Sequence, residues 1–577
     1  MVMDPRTGDR TLTVPPHTGD TVLPNLPFFE KLLRYAHRRS PPIAIRDVNA
    51  GIERTYLQLL TDAIALRRVL KGTLNQKTLK QLENDEEVFI ALVAPGGYEY
   101  AVGFIAILAL GAAVVPITPA LPVQEAKSLV QRAQCVAVIS SNDATPLAQG
   151  IKEAIRASDP NKANLPHAIV SHSLQRTQLP ASSLTISSSP VPNMNNAGLV
   201  IFTSGTTGPP KGAVQRRSYI SSAAEDVADH YRLNESDTVL HLLPVHHATG
   251  IGVTFLPLLV VGGCIEFRSG SFDPAWTWER LRRNATANGC QRLTVFSGVP
   301  TIYTRLMRYF ETHIAPLPIN EQEHYIAGVR DVRVFLCGTS ALPRPIQDFW
   351  TRMLDGRQIL TRYGGTEFHT VLKADIDGSS PANSVGRVSP GVDLKLSNEG
   401  EILVKGPNMF SKYLNAPEAT ASAHDEEGYF RTGDIAFKSG ENYFIQGRAS
   451  LDIIKSGGYK ISALDIEREV LGLEYVSEVM VVGVEDEEFG QRVAAVVTLK
   501  DSIEPRGLRL QELRKDLRGV LAGYKMPTVL RIVDGEIPKG ATGKVQKKVL
   551  RPRYFPDGWR SCKAVQIWDP VQAKAKL

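Results

Sequence analysis

Fifteen residues, "IFTSGTTGPPKGAVQ" (201–215), gather three glycines, a run of hydroxyl side chains and one lysine into a stretch that could wrap around a phosphate. The loop formed by Thr203, Ser204, Gly205, Thr206, Thr207 and Gly208 offers backbone N–H groups and hydroxyls to an anion, and Lys211 adds charge. The phosphate loop of P-loop nucleoside triphosphatases requires G-x-x-x-x-G-K-[ST]. Counting from Gly205, the sixth position is Pro210, and Lys211 is followed by Gly212. A P-loop enzyme is therefore a poor fit, and another phosphate chemistry must be sought.

The pattern T-S-G-T-T-G-x-P-K-G resembles the phosphate loop of the superfamily of acyl- and aryl-CoA synthetases, peptide-synthetase adenylation domains and luciferases. The family's other signatures follow in order. "RYGGTE" (362–367) is similar to its Y-G-x-T-E, "YFRTGDIA" (429–436) to its T-G-D, "GRASLDIIKSGGYKIS" (447–462) to its hinge and glycine loop, and "PKGATGKVQKKVL" (538–550) to its C-terminal lysine segment. The resemblance covers roughly residues 25–555. It implies an enzyme in which a carboxylate attacks the α-phosphate of ATP, pyrophosphate leaves, and the acyl-adenylate is then taken by the thiol of coenzyme A.

Bringing anions together needs positive charge and oriented donors more than it needs a base. By resemblance, the loop 203–211 holds the β- and γ-phosphates, and Glu367 with Thr206 places Mg²⁺. Lys544 bridges the carboxylate and the α-phosphate. Tyr363, with Gly364 and Thr366 beside it, stacks on adenine, while Gly338, Thr339 and Ser340 line the purine pocket. Asp434 accepts both ribose hydroxyls, and Arg448 reaches the ribose. Gly457 and Gly458 guide the pantetheine of coenzyme A, so one small domain serves two half-reactions by rotating about a hinge. The family commonly has three steps from arginine to aspartate in the hinge, whereas Arg448 to Asp452 is four, which leaves the hinge residue unassigned between Ser450 and Leu451.

The acid is addressed by fewer residues. His246 and His247 are adjacent in "LLPVHHATG"; at a strand end neighbours point to opposite faces, so they are not expected to share a metal. By resemblance His247 is the gate between acyl pocket and thiol tunnel, and His246 packs inside. "VFSGVPTIYTRLM" and "GQRVAAVVTL", with the hinge segment, look most like the malonyl-CoA synthetase branch, in which an arginine precedes Y-G-x-T-E as Arg362 does here. Such an arginine can hold a second carboxylate bidentately. Gly365 stands where that branch usually has methionine, which would enlarge or reshape the acyl pocket, and His369 adds an unusual polar group. A larger acid of specialised metabolism is the competing expectation.

These side chains need a frame. From about residue 88 to 365 short apolar runs alternate with helical patterns, which argues an α/β architecture with largely buried sheets and ligand-facing loops at strand ends. From about 384 shorter alternating strands suggest a small β-barrel-like subdomain, and after Gly447 a compact, mobile α+β unit follows with helices over 463–473 and 510–524. The expected divisions are an N-terminal extension (1–24), an ATP- and acid-binding domain (25–447), a C-terminal domain (448–555) and a tail (556–577).

Composition narrows the classes. With 577 residues, 43% apolar and 66 Lys+Arg scattered against 60 Asp+Glu, the chain reads as a multidomain globular protein that has no nucleic-acid partner. The five cysteines include no C-x-x-C pair, which argues against a disulfide framework or a zinc knuckle. Two apolar stretches, 101–117 and 251–265, are broken by Gly and Pro and read as buried helix running into strand, with no membrane span expected. The ending Ala575-Lys576-Leu577 resembles the tripeptide read by the peroxisomal import receptor. Expected partners are thus a small carboxylic acid and that receptor, with a peroxisomal or otherwise cytoplasmic location. A rival enzyme would load the acid onto a carrier-protein thiol, and a non-catalytic relative would bind nucleotide without turnover.

Overall fold

The structure, a computed structural model, describes residues 19–158, 165–203, 210–287, 289–500, 508–540 and 544–568. Ser204, Gly205, Thr206, Thr207 and Gly208 of the glycine loop and the terminal tripeptide lie outside the described residues. Both apolar stretches resolve as expected: helix Tyr98–Leu110 ends at Gly111 before strand Ala113–Ile117, and helix Leu256–Val261 ends at Gly262 before strand Cys264–Phe267. Among the described residues no helix is long and apolar enough to cross a membrane.

The large domain holds two principal sheets. In the seven-stranded one, Phe89–Val93, Ala113–Ile117, Ala137–Ser140, His167–Ile169 and Ala197–Thr203 run parallel, buried on both faces as their continuous apolar runs require. Strand Lys211–Arg216 then turns back antiparallel on Ala197–Thr203, pairing Lys211 with Thr203. The phosphate motif therefore connects two antiparallel strands. A P-loop instead leads from a strand into a helix N-terminus, which explains the different motif.

The nine-stranded sheet contains the parallel strands Ile43–Asp47, Cys264–Phe267, Thr238–His241, Val295–Gly298, Val334–Cys337 and Leu360–Gly365, in that spatial order. From Thr238–His241 the chain goes out to Cys264–Phe267 on one side and returns to Val295–Gly298 on the other. That strand is a topological switch point, and a crevice opens beyond its carboxyl end. The β-rich subdomain is a four-stranded antiparallel sheet, Asp393–Leu396, Glu401–Lys405, Phe430–Ser439 and Asn442–Arg448 in spatial order, with no pair closing it among the described residues.

The C-terminal domain packs helix Ala463–Leu471 on a sheet that includes the long hairpin Val476–Asp486 and Gly490–Leu499. Two expectations are corrected here. The helix expected over 510–524 spans only Leu510–Asp516, because Gly519 at φ +90° carries the chain into a turn. The division at 555 is too early: Trp559 is buried and strand Val565–Ile567 pairs with Val529–Ile532, extending this sheet. At the other end, Val22–Leu23 already pairs with Thr185–Ile186, so the extension ends before residue 22.

Candidate active site

The loops after strands Thr238–His241, Cys264–Phe267, Val295–Gly298, Val334–Cys337 and Leu360–Gly365 all open into one cavity of about 1280 Å³. Thr203, Lys211, His247, Thr339, Ser340, Arg362, Tyr363, Gly364, Gly365, Thr366, Glu367, Asp434, Arg448 and Lys544 all line it. Residues spread over more than half the chain thus share one space. Two assignments separate from it. Gly338 does not line the cavity: a Cβ there would come within 3.1 Å of the Arg362 Cζ, so this glycine makes room for the arginine. Gly457 and Gly458 also lie outside it; they form the two-residue turn between Ile453–Ser456 and Tyr459–Ser462, at φ +55° and +84°. Two successive positive φ angles are what such a hairpin demands, and glycine alone supplies them without strain.

At the nucleotide end the polar groups hold one another. Asp434 and Arg448 are direct partners across the antiparallel pair of strands, and the Arg448 Nε donates to Asp434 Oδ1 at 3.0 Å. The Tyr363 hydroxyl donates to Asp434 Oδ2 at 2.8 Å. The carboxylate is thereby fixed in orientation while keeping free lone pairs for two further donors. The Tyr413 hydroxyl donates to Glu367 Oε1 at 2.7 Å, and its ring carries Lys211 Nζ 5.1 Å from the centroid. Gln215 donates to the Thr366 carbonyl at 2.6 Å, tying the phosphate hairpin to the "YGGTE" turn. Thr339, at φ +73°, holds a buried hydroxyl with no hydrogen-bond partner.

Lys544 enters from the C-terminal domain. It is open to the cavity, yet the surrounding walls reduce its hydration and, with Arg448, lower its pKa against the pull of Asp434 and Asp452. The segment expected to hold the hinge forms the turn Ala449–Asp452: Arg448 N–H donates to Asp452 Oδ2 at 3.0 Å, and Asp452 N–H donates to the Arg448 carbonyl at 2.8 Å. The extra residue is absorbed in this turn. Asp452 also pairs with Lys547 at 2.6 Å, which reaches Glu467 at 2.8 Å, so the hinge is bound to the lysine segment within its own domain.

At the other end several buried polar atoms lack partners among the described residues. Arg362 is 7% exposed, and among the described residues neither of its Nη atoms has a hydrogen-bond partner. His247 has a buried, unpartnered Nε2, and burial lowers its pKa, keeping the ring neutral. His369, at φ +53°, sets Nδ1 3.1 Å from the Tyr219 hydroxyl and leaves Nε2 buried without a partner. Burial first, then the charges of Lys373 and Arg362, push its pKa down to about 3. The strand-end premise for the histidine pair does not hold: His246 and His247 follow the strand in a turn, so alternation does not apply, and their rings lie 4.3 Å apart. Only His247 of the two lines the cavity.

Gly365 does not simply leave a larger pocket. A Cβ there would come within 2.5 Å of the Phe368 ring, so the aromatic side chain takes the space a longer residue would need. Sequence reasoning missed Phe368, Tyr413, Tyr219, Arg268 and Arg305. The two arginines line the cavity, and Arg305 lies in the quoted "PTIYTRLM" on helix Pro300–Tyr309. Tyr219 and Tyr413 left no local signal, because their contacts span 150 and 46 residues.

Comparison with known proteins agrees with this arrangement. The family model described as AMP-binding enzyme matches residues 34–414, and that of its C-terminal domain matches 465–544. The chain is 32% identical to the acyl-CoA ligase oryP of Aspergillus oryzae over 93% of each protein. It is 35% identical to the mitochondrial malonate–CoA ligase of Mus musculus over 64% of this chain and 66% of that one. Among solved structures, ATP-bound MatB from Rhodopseudomonas palustris superposes with a TM-score of 0.75 at 25% identity, covering 92% of this chain and 99% of the other. A malonyl-CoA ligase with methylmalonyl-CoA and AMP bound superposes with a TM-score of 0.57 at 28% identity, covering 88% and 99%.

Proposed function

Since the chain belongs to the AMP-binding enzyme family and is an AMP-forming acid:CoA ligase, we propose that its acid carries a second anionic group, as malonate does, and that Arg362 reads it. The observation that carries this reading is the Arg362 guanidinium, buried in the cavity with both Nη atoms unpartnered. A buried charge without a partner is expensive, and a substrate carboxylate would supply the missing bidentate pair. The malonate–CoA ligase relative supports the choice.

ATP would lie with its ribose hydroxyls on Asp434 and its adenine against Tyr363. Lys544 would draw the substrate carboxylate and the α-phosphate together through its ammonium; a P–O bond forms to the acid as the bond to pyrophosphate breaks. Glu367 fits Mg²⁺, which uses one or two carboxylates alongside substrate phosphates: its Oε1 accepts from Tyr413, leaving Oε2 available. That ion would neutralise phosphate charge. In the second half-reaction the thiol sulfur of coenzyme A attacks the acyl carbon and AMP leaves, with the neutral His247 beside the path.

Acid-dependent pyrophosphate release tests the reading on malonate, methylmalonate, medium-chain fatty acids and aryl acids. Short dicarboxylates should be turned over best; preference for a monocarboxylic acid would overturn it. The unpartnered His369 Nε2 favours a second reading, in which the acid is larger and carries a further hydrogen-bonding group. Release without thioester on adding coenzyme A would favour the carrier-thiol rival. Peroxisomal import through Ala575-Lys576-Leu577 belongs to the same reading. A fluorescent protein bearing residues 569–577 should become punctate in cells, and diffuse fluorescence would count against it.

A further inference from the structure

We propose that Arg308 is a positioning residue for adenylation, latching the C-terminal domain in the orientation that keeps Lys544 in the cavity. Arg308 lies on helix Pro300–Tyr309, whose Ile302 and Arg305 line the cavity. Its guanidinium leaves the large domain and donates to the Ser477 carbonyl at 2.8 Å and to Ser477 Oγ at 2.7 Å, with Glu478 Oε1 4.0 Å away. Glu478 in turn accepts from the Ile537 N–H at 2.8 Å and pairs with Lys539 at 2.6 Å. Lys539 opens the segment that carries Lys544: it bridges to Val545, and the Gly540 N–H donates to the Lys544 carbonyl at 2.8 Å.

A continuous path of hydrogen bonds and ion pairs therefore joins the cavity wall to the lysine. The domains also meet at the hinge, through Arg448 N–H to Asp452 and Ser462 Oγ to the Gln446 carbonyl. Contacts at a pivot survive rotation; a contact away from it does not. Turning the glycine loop inward would carry Ser477 off Arg308, so the latch favours one half-reaction and must open for the other. Arg308 is itself absent from the cavity lining, so it acts through domain placement and not by touching substrate.

The inference rests on the ligase activity and not on which acid is used, so the test employs the acid that the unaltered enzyme activates fastest. Two charge-assisted hydrogen bonds are at stake, and Arg308→Ala should lower acid-dependent ATP–pyrophosphate exchange about tenfold. Thioester formation from coenzyme A and supplied acyl-adenylate should stay within about twofold of the unaltered enzyme, since that step does not need the latch. Arg308→Glu, which faces Glu478, should depress exchange further, and Arg308→Lys should restore most of it. The side chain is 33% exposed, so a thermal melt should confirm folded protein for each variant. An equal fall in both half-reactions, or exchange unchanged in Arg308→Ala and Arg308→Glu, would overturn the proposal.

Discussion

The two ends of the cavity differ in how their polar atoms are satisfied. At the nucleotide end Asp434 is held by Tyr363 and Arg448, and Glu367 by Tyr413. At the acyl end Arg362, His247 and His369 each bury polar atoms with no partner. The first end is organised before any ligand arrives, which suits an electrostatic site that must not reorganise during reaction. On the proposed reading the second would be completed by the substrate, and a site with unpaired buried groups would reject an acid that fails to pair them. Thr339, with its orphaned hydroxyl, is the exception at the nucleotide end.

The sharpest way to break the contrast is Lys544→Ala, which removes the cation that the C-terminal domain brings into the cavity. Adenylation should fall about a thousandfold, with thioester formation from supplied acyl-adenylate much less affected; equal losses would refute the division of labour. The alkaline limb of the adenylation rate tests the same group. Only the protonated amine serves, so the rate falls as pH rises through the lysine pKa, which burial and Arg448 place below the usual 10.5. Lys544→Arg should move that limb upward, because guanidinium stays protonated.

Arg362→Met asks whether the acyl end waits for an anion. It should lower kcat/KM for a dicarboxylic acid about thirtyfold and leave monocarboxylic acids unharmed. A uniform loss across acids would instead make Arg362 structural. The smallest effect should come from Tyr363→Phe, which removes one of two donors holding Asp434. KM for ATP should rise about threefold while acid selectivity stays put; a change in acid preference would show that the ends are coupled.

The same difference explains what could be read beforehand. Nucleotide-end residues sit in short motifs because neighbours in sequence do the work: Tyr363 to Glu367 lie at the end of one hairpin, and Asp434 and Arg448 pair within another. The helix-to-strand reading of both apolar stretches held because Gly and Pro interrupt them locally. The settings of Gly338 and of the histidine pair were not legible because their surroundings come from elsewhere: Arg362 passes over the glycine, and a turn stands where the alternation argument assumed a strand end. The strand at Val565–Ile567 was missed because three residues carry too little alternation to announce a sheet edge.

What the sequence alone determined is the reaction class, because its motifs resemble, in order, those of the AMP-binding family, and each motif lies in a short run of neighbouring residues. Only the tertiary structure decided which polar groups remain unpaired, that Phe368 occupies the space beside Gly365, and that Lys544 and not the glycine loop faces the cavity. Those facts depend on contacts between residues far apart in the chain, and no local pattern encodes the distance between two side chains that meet only after folding.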